Sequence, residues 1–114
     1  MDLGSGDGRI LFLASENVKQ AIGIEINPVL YCYSKLKNKI KQKQNIEIIR
    51  GNLWNTDLSK VDVLTLFFMQ DKMEKLGEKI KREMKPGSRV VSNTFSFPNW
   101  EVKEKDGNIK LYIV

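Results

Sequence analysis

Residues 2–9 are Asp-Leu-Gly-Ser-Gly-Asp-Gly-Arg, and this stretch decides the fold that we predict for the chain. Three glycines alternate with polar residues, a carboxylate precedes them, and the apolar run Ile10–Ala14 follows. Glycine lets the backbone turn tightly and lets a ligand approach the chain closely. A turn of this kind, between a strand and a helix, lies at the carboxyl edge of a parallel sheet, where ligands bind. The stretch therefore predicts a ligand-binding loop of an α/β protein.

Strands alternate with helices along the rest of the chain. Strands are predicted at Gln20–Ile26, Ile46–Ile49, Val61–Phe68 and Arg89–Ser92, before a hairpin in which Glu101–Lys105 and Ile109–Val114 flank Asp106-Gly107-Asn108. This order predicts a Rossmann-like, doubly wound and mostly parallel sheet with a C-terminal antiparallel hairpin. The run Val61–Phe68 is apolar enough to be buried on both faces. Only Met1–Leu3 remain of the first strand, so we expect a truncated chain or a start assigned too late.

Three helices are predicted from apolar residues that recur at helical spacing. Arg9 to about Asn17 is apolar nearly all round and should be buried against the sheet. The second helix has an apolar stripe, with lysines on its solvated face: Val29, Tyr33, Leu36 and Ile40. The third helix has a stripe that Lys85-Pro86-Gly87 ends: Met73, Leu76, Ile80 and Met84.

Composition excludes several classes of protein. The chain has 114 residues, a single cysteine (Cys32) and no histidine, so zinc sites of the usual type and histidine-based catalytic triads are excluded. No segment approaches the apolar length of a membrane span, and no signal-peptide pattern appears. We expect a cytoplasmic protein. The net charge is +5, and most of the excess lies in the lysine-rich run 35–43. A solvated helix surface explains those lysines better than a nucleic-acid or acidic-protein patch, although both interpretations stay open.

The spacing of the glycines selects the ligand. Gly4, Gly6 and Gly8 make G-x-G-x-G and not the G-x-G-x-x-G of dinucleotide-binding proteins. Asp2 would repel a pyrophosphate, yet it suits a ligand with a positively charged ammonium group. Glu25, at the end of the second strand, is placed to accept hydrogen bonds from two ribose hydroxyls. A ligand with a ribose and a cationic amino-acid end is S-adenosylmethionine.

These motifs, with Gly23-Ile-Glu-Ile-Asn-Pro28 after the glycine loop, resemble the class I (seven-strand) S-adenosylmethionine-dependent methyltransferases. A narrower resemblance is to the small protein-lysine methyltransferases that include the ATP synthase c-subunit enzyme and the broad-specificity archaeal enzyme. It is carried by Gly51-Asn-Leu-Trp54, by Lys85-Pro-Gly-Ser-Arg-Val-Val-Ser92, and by Phe95 and Trp100 with a short connection between them.

The resemblance implies one methyltransferase domain over residues 1–114 that transfers a methyl group from S-adenosylmethionine to lysine side chains of partner proteins. It implies an acceptor pocket of Phe67, Phe68 and Trp100, without a general base or a metal. The implied cofactor-binding residues are Asp2, Gly4, Ser5, Gly6, Gly8, Glu25, Asn27, Asn52 and Leu53. Lysine, once uncharged, is a sufficient nucleophile, and an apolar aromatic channel favours its uncharged form.

Several alternatives stay open. Asp7 could only cap the following helix, Asn52 could be an ordinary loop residue, and Leu53 and Trp54 could pack against adenine or in the core. Because adjacent strand residues point to opposite faces, we expect one of Phe67 and Phe68 in the core and the other in the site. Phe95, Phe97 and Trp100 suit core or pocket equally. An RNA methyltransferase and a non-catalytic S-adenosylmethionine-binding fragment are the alternative functions, and the sequence does not indicate the oligomeric state.

Overall fold

The computed structural model describes residues 1–114. They form two compact units, residues 1–56 and residues 57–114. The first unit contains three strands and two helices, and the second contains four strands and one helix. That the 114 residues act as one methyltransferase domain stays a prediction. No helix combines the length and the apolar character that crossing a membrane requires.

The first unit is a parallel sheet with its helices in the connections between strands. Its elements are β1 (Asp2–Leu3), α1 (Arg9–Ala14), β2 (Ala21–Glu25), α2 (Pro28–Lys41), β3 (Ile46–Arg50) and a 3₁₀ turn (Leu53–Asn55). The strand β2 lies between β1 and β3, and both pairings are parallel. One apolar cluster forms its core: Leu11, Phe12, Ala21, Ile46 and Ile48. The predicted order of strand, glycine loop, helix and parallel strand is present in this unit.

The helix α1 is shorter and more exposed than the sequence predicts. It ends at Ala14 rather than near Asn17, and the Ser15 hydroxyl donates a hydrogen bond to the Phe12 carbonyl. Local bonds of this kind compete with continued helix. Leu11 and Phe12 are buried, but Ile10 and Leu13 are exposed. The prediction that this helix is buried nearly all round is therefore wrong, because a helix of six residues turns only one side toward the strands.

The helix α2 presents the predicted apolar stripe to solvent instead of to the core. The exposed fractions are 74, 54, 58 and 74% for Val29, Tyr33, Leu36 and Ile40. The opposite side of the helix contains Ser34, which is fully buried and whose hydroxyl donates to the Gly6 carbonyl at 2.8 Å. The close approach to the glycine loop leaves room only for a small side chain there. Apolar spacing correctly predicts the helix but selects the wrong face.

The second unit is a mixed sheet with one helix. Its elements are β4 (Val63–Leu66), a 3₁₀ turn (Gln70–Lys72), α3 (Met73–Glu83), β5 (Arg89–Asn93), β6 (Glu104–Asp106) and β7 (Ile109–Ile113). The strands β4 and β5 are parallel, and β7 pairs antiparallel with both β5 and β6. The turn between β6 and β7 has Gly107 at a positive φ of 58°. The predicted C-terminal antiparallel hairpin is confirmed.

Burial in the second unit follows the predicted helix stripe closely and the predicted strand only in part. Four residues of the α3 stripe are at most 3% exposed: Met73, Leu76, Ile80 and Met84. In β4, Leu64 and Leu66 are buried, but Val63 is 36% exposed. Phe67 follows the strand and is 62% exposed. The prediction of burial on both faces throughout Val61–Phe68 is therefore wrong at three positions, because Asp62 is exposed as well.

Candidate active site

The glycine loop between β1 and α1 is attached to the carboxyl end of β2. The backbone N–H groups of Gly4 and Ser5 both donate to the Ile24 carbonyl, at 2.8 and 3.0 Å. Gly4, Gly6 and Gly8 have φ values of +74, +57 and +84°. Side chains other than glycine rarely adopt this left-handed region. The alternating glycines are thus explained by a backbone that turns back on itself at the end of β2.

These glycines have two different surroundings. A side chain at Gly8 would meet the Phe12 ring at 2.8 Å, so glycine is needed there for close packing. At Gly4 nothing lies within 4 Å of the position that a Cβ would occupy, and at Gly6 only the Gly4 carbonyl lies as near as 4.0 Å. The loop therefore presents bare backbone to open space at Gly4 and Gly6. A ligand that lies against this backbone needs both residues to lack a side chain.

The Glu25 carboxylate connects the loop to the start of α2. One of its oxygens accepts from the Gly6 N–H at 2.7 Å, and the other accepts from the Asn27 N–H at 2.9 Å. The residue is only 7% exposed. Since each carboxylate oxygen has two lone pairs, both oxygens keep a free position for a further donor. This geometry fits the predicted acceptance of two ribose hydroxyls, and it adds a role in shaping the loop that the sequence did not indicate.

Ser5 and Asp2 lie beneath the loop. The Ser5 side chain packs against the backbone of Gly23, where an added Cβ would lie 2.8 Å from the hydroxyl. That hydroxyl is buried without a hydrogen-bond partner. Asp2 is 7% exposed and lies beside Gly23 in the pairing of β1 with β2. Both residues are thus part of the structure that supports the loop, and direct contact with a cofactor stays a prediction for each.

Asp7 lies one residue before Gly8, the N-cap residue of α1, which has no side chain to cap the helix. Its carboxylate accepts from the Arg9 N–H at 3.1 Å, at the first residue of α1, and pairs with the Arg9 guanidinium at 2.9 Å. The hydrogen bonds from Arg9 hold the pKa of the Asp7 carboxyl below its usual range. Asp7 is therefore bound to Arg9 at the beginning of the helix.

Asn27 and Asn52 both cap helical turns. The Asn27 side-chain oxygen accepts from the N–H groups of Val29 and Leu30, at the beginning of α2. The Asn52 side-chain oxygen accepts from the Trp54 N–H at the beginning of the 3₁₀ turn after β3. Leu53 follows in that turn and is half-buried. These caps explain why asparagine occurs at both positions, whereas the predicted cofactor contacts of Asn27, Asn52 and Leu53 stay predictions.

In the second unit, aromatic residues follow the carboxyl ends of β4 and β5. The rings of Phe67 and Phe95 lie 5.5 Å apart and are tilted by 38°. Phe67 is exposed and Phe68 is half-buried, so neither is a fully buried core residue, and the predicted division between core and site stays a prediction. The structure therefore brings Phe67 together with Phe95. From the sequence alone, Phe95 could have been either a core residue or a pocket residue.

Trp100 belongs to a different group of aromatic rings. Its ring stacks on Phe97 at 4.7 Å and meets Tyr112 edge-on at 5.8 Å. The Lys81 ammonium lies 4.6 Å from the centre of the same ring. Trp100 thus packs within the unit between α3 and β7, and its predicted part in the acceptor pocket stays a prediction.

A strained turn joins β5 to Phe95, and sequence reasoning missed it. Thr94 has a φ of +73°, which is unfavourable for a β-branched residue and is common at functional sites when surrounding contacts enforce it. The Lys110 ammonium of β7 supplies such contacts, because it donates to the Thr94 carbonyl at 2.8 Å and to the Ser96 hydroxyl at 2.6 Å. The Ser92 hydroxyl also donates to the Phe95 carbonyl at 2.7 Å. The Lys110 contacts come from a residue distant in sequence, so no local motif signals them.

The first unit fits S-adenosylmethionine. The open backbone at Gly4 and Gly6 provides a surface for the ligand, and the Glu25 carboxylate beside it has lone pairs available for hydroxyl groups. No group of three or more His, Cys, Asp or Glu side chains is arranged to hold a metal ion. The arrangement can bind and orient a ribose-containing ligand through backbone groups and one buried carboxylate.

Several known proteins with similar sequences are named as lysine methyltransferases. The chain is 37% identical to a protein-lysine N-methyltransferase from Saccharolobus islandicus, over 99% of this chain and 77% of that protein. It is 33% identical to the ATP synthase c-subunit lysine N-methyltransferase from Xenopus laevis, over 88% of this chain and 45% of that protein. The chain thus spans less than half of the length of this vertebrate relative.

Solved structures show the same fold. The crystal structure of an RNA methyltransferase from Salinibacter ruber, in complex with S-adenosyl-L-homocysteine, matches 98% of this chain and 76% of that one, with a TM-score of 0.88 and 30% identity. Precorrin-6y C5,15-methyltransferase from Geobacter metallireducens matches with a TM-score of 0.74, at 15% identity, and bears on the fold alone. The predicted Rossmann-like methyltransferase fold is confirmed, and so is the prediction of S-adenosylmethionine as cofactor.

The model of one protein family matches most of the chain. The description of that family is "ANTKMT methyltransferase domain", and its match spans residues 2–104. Those residues include the glycine loop, Glu25 and the aromatic residues after β4 and β5. The chain belongs to this family of S-adenosylmethionine-dependent methyltransferases.

Proposed function

We propose that this protein transfers a methyl group from S-adenosylmethionine to the side-chain amine of lysine in other proteins. The observation that carries the proposal is the 37% identity to an archaeal protein-lysine N-methyltransferase over nearly the whole chain. Relatives from frog and human, at 33 and 32% identity, are also named for lysine methylation, although the chain spans less than half of each.

The first unit has the residues that would bind the cofactor. Gly4 and Gly6 would lie against it, and Glu25 would accept its ribose hydroxyls while it keeps its bond to the Gly6 N–H. When bound, S-adenosylmethionine supplies a methyl group on a positively charged sulfur, which is activated for direct displacement. The chain's task is therefore to align the nucleophile and to exclude water, and this alignment is the larger part of catalysis.

The second unit has the residues that would receive the acceptor. The ring faces of Phe67 and Phe95 attract a lysine ammonium and pack along its methylene groups. The lysine must lose its proton before the nitrogen attacks, and apolar surroundings favour that neutral form. No histidine is available as a base, so we propose that solvent takes the proton. Phe68 and Trp100 stay predicted members of this pocket.

RNA methylation is the second candidate, because the structurally similar Salinibacter ruber protein is described as an RNA methyltransferase. The residues after β4 favour lysine instead. Enzymes that methylate the nitrogens of bases or glutamine have an Asn-Pro-Pro-Tyr type of signature at this place, whereas this chain has Phe67-Phe68-Met69-Gln70. A flexible lysine side chain would also reach the Phe67–Phe95 pair more easily than a base that is part of folded RNA would.

A labelled-methyl assay with the 114-residue chain, on mixed proteins and on total RNA, tests the proposal. We expect mass spectrometry to find methyl groups on lysine, and the rate to rise with pH toward the lysine pKa of about 10.4. Methyl groups on nucleotides and none on lysine would contradict the proposal. The cytoplasmic location stays a proposal as well, for which fractionation of cells is the measurement.

A further inference from the structure

An apolar ridge runs along the solvent-facing side of α2. We define the α2 ridge as Val29, Tyr33, Leu36 and Ile40, whose exposed fractions range from 54 to 74%. Their spacing of four, three and four residues places them on one line of the helix. Soluble domains rarely expose a contiguous apolar surface of this kind, and such a surface commonly marks an interaction site.

Lysines lie on both flanks of the ridge, without carboxylates to balance them. The segment between Glu25 and Glu47 contains five lysines and no acidic residue: Lys35, Lys37, Lys39, Lys41 and Lys43. The ammonium groups of Lys37 and Lys41 lie 4.9 and 5.9 Å from the centre of the Phe12 ring, in the neighbouring helix α1. Two of the cations thus lie back over Phe12, whereas the four side chains of the ridge are exposed to solvent.

We propose that the α2 ridge docks this protein on an anionic lipid surface. The apolar side chains would enter the boundary between headgroups and acyl chains, and the set-back ammonium groups would lie at the level of the lipid phosphates. An in-plane amphipathic helix on a membrane has this same arrangement of protruding apolar residues and flanking cations. The ridge shares no residue with the glycine loop or with the Phe67–Phe95 pair.

The charges argue against a second copy of this chain. Two α2 ridges face to face would bring the lysines of one copy close to those of the other, and like charges repel. An acidic amphipathic helix of another protein would also balance the lysine charges. To form ion pairs with such a helix, however, the lysine side chains would have to extend outward from the ridge. The positions of Lys37 and Lys41 over Phe12 favour the lipid surface instead.

The inner side of α2 explains why docking would leave the cofactor site intact. Ser34 faces away from the ridge and its hydroxyl is bonded to the Gly6 carbonyl. Substitutions on the ridge therefore change the outer surface without touching the glycine loop. S-adenosylmethionine affinity is accordingly the readout that shows each ridge variant to be folded.

Co-sedimentation of the whole chain with vesicles tests the proposal. We expect binding to phosphatidylcholine vesicles that contain phosphatidylserine, weak binding to phosphatidylcholine alone, and loss of binding at high salt. Leu36→Glu should weaken binding by about tenfold or more, and Lys39→Gln by about fivefold. The matched controls are Val102→Glu and Lys105→Gln, which make the same changes at exposed positions outside α2 and should bind normally.

Three results would overturn the proposal. One is an absence of binding to the anionic vesicles by a chain that binds S-adenosylmethionine. Another is equal binding by Leu36→Glu and the unaltered chain. The third is binding to an acidic amphipathic peptide, or a dimer that Leu36→Glu separates, without binding to vesicles, since either would assign the ridge to a protein.

Discussion

At the scale of single residues, the glycine loop shows one residue type meeting two requirements. Gly8 has the Phe12 ring where a side chain would lie, whereas the space beyond Gly6 is open. Glu25 likewise has two tasks, because it shapes the loop through the Gly6 N–H and keeps lone pairs for a ligand. The same few atoms therefore determine the loop conformation and form the predicted cofactor site.

Replacement of Gly6 by valine should abolish S-adenosylmethionine binding, because the side chain would occupy the space beside the loop. The left-handed backbone also makes the substitution costly, by about 1 to 2 kcal/mol. Gly107→Val is the matched control, since Gly107 has a φ of +58° against +57° for Gly6 and also has open space around it. Calorimetry should find the affinity lost in Gly6→Val and kept in Gly107→Val. Unchanged affinity in Gly6→Val would refute the assignment of the loop.

Glu25→Gln should weaken S-adenosylmethionine binding by about 10- to 100-fold, the usual effect of losing hydrogen bonds to a charged group. The amide also puts a donor opposite one of the two N–H groups that the carboxylate now satisfies. The control is Glu47→Gln, which changes an exposed carboxylate in β3. If titration finds equal affinities of the two variants for S-adenosylmethionine, Glu25 is not part of the cofactor site.

At the scale of elements, local patterns predict what forms but not always which side faces inward. The spacing in α3 predicts both the helix and its buried face, because only one line of that helix is apolar. In α2, the buried line contains Tyr31 and Ser34, and the apolar line faces solvent. No pattern within the helix reveals that the Ser34 position must be small to fit beneath Gly6. That information is in the contact between two distant segments.

The turn after β5 also depends on a contact between distant segments, because Lys110 of β7 holds it in place. We therefore predict that Lys110 is a positioning residue. Lys110→Met removes the bonds to Thr94 and Ser96 that fix the strained turn before Phe95. We expect a higher KM for the protein acceptor, an unchanged Kd for S-adenosylmethionine, and about 1 to 3 kcal/mol less stability. Lys105→Met is the control, because Lys105 is the neighbour of Lys110 across the β6–β7 pair. An unchanged acceptor KM in Lys110→Met would leave the turn with a structural role alone.

The helix α3 contains an ion pair that should make stability depend on pH. Lys79 is nearly buried and bonds Glu83 at 2.7 Å, and Glu83 also accepts from the Leu58 N–H. Burial acts to raise the pKa of Glu83, but the bonds from Lys79 and Leu58, with the charges of Lys79 and Arg82, outweigh it, so the pKa lies below its usual value. A lowered folded-state pKa stabilises the fold above the unfolded pKa of about 4.3, and this contribution is lost as pH falls through the folded value.

Urea unfolding across this pH range measures the effect. Glu83→Gln should cost about 3 kcal/mol near neutral pH, because it leaves the Lys79 ammonium buried without an opposite charge. Its stability should also fall less than that of the unaltered chain when the pH is lowered below about 4. Parallel loss of stability in the two proteins during acidification would show that Glu83 does not contribute to the pH dependence.

At the scale of the whole molecule, the sequence predicts the class of fold and the cofactor well. The glycine spacing, Asp2 and Glu25 suffice for S-adenosylmethionine, since each reflects a requirement of backbone shape or charge that is local to the motif. The acceptor side is less predictable. Phe67 and Phe95 come together only after two strands pair in register, whereas Trp100, which is equally aromatic, packs elsewhere on Phe97 and Tyr112.

Calorimetric titration of the unaltered chain with S-adenosylmethionine, S-adenosylhomocysteine and NAD tests whether the glycine loop and Glu25 form the cofactor site. We expect saturable one-to-one binding of the first two ligands, because both have the ribose and the amino-acid end that the loop and Glu25 suit. It predicts no binding of NAD, because Asp2 and the G-x-G-x-G spacing disfavour a pyrophosphate. Binding of NAD, or no binding of either adenosyl compound by the folded chain, would contradict the account.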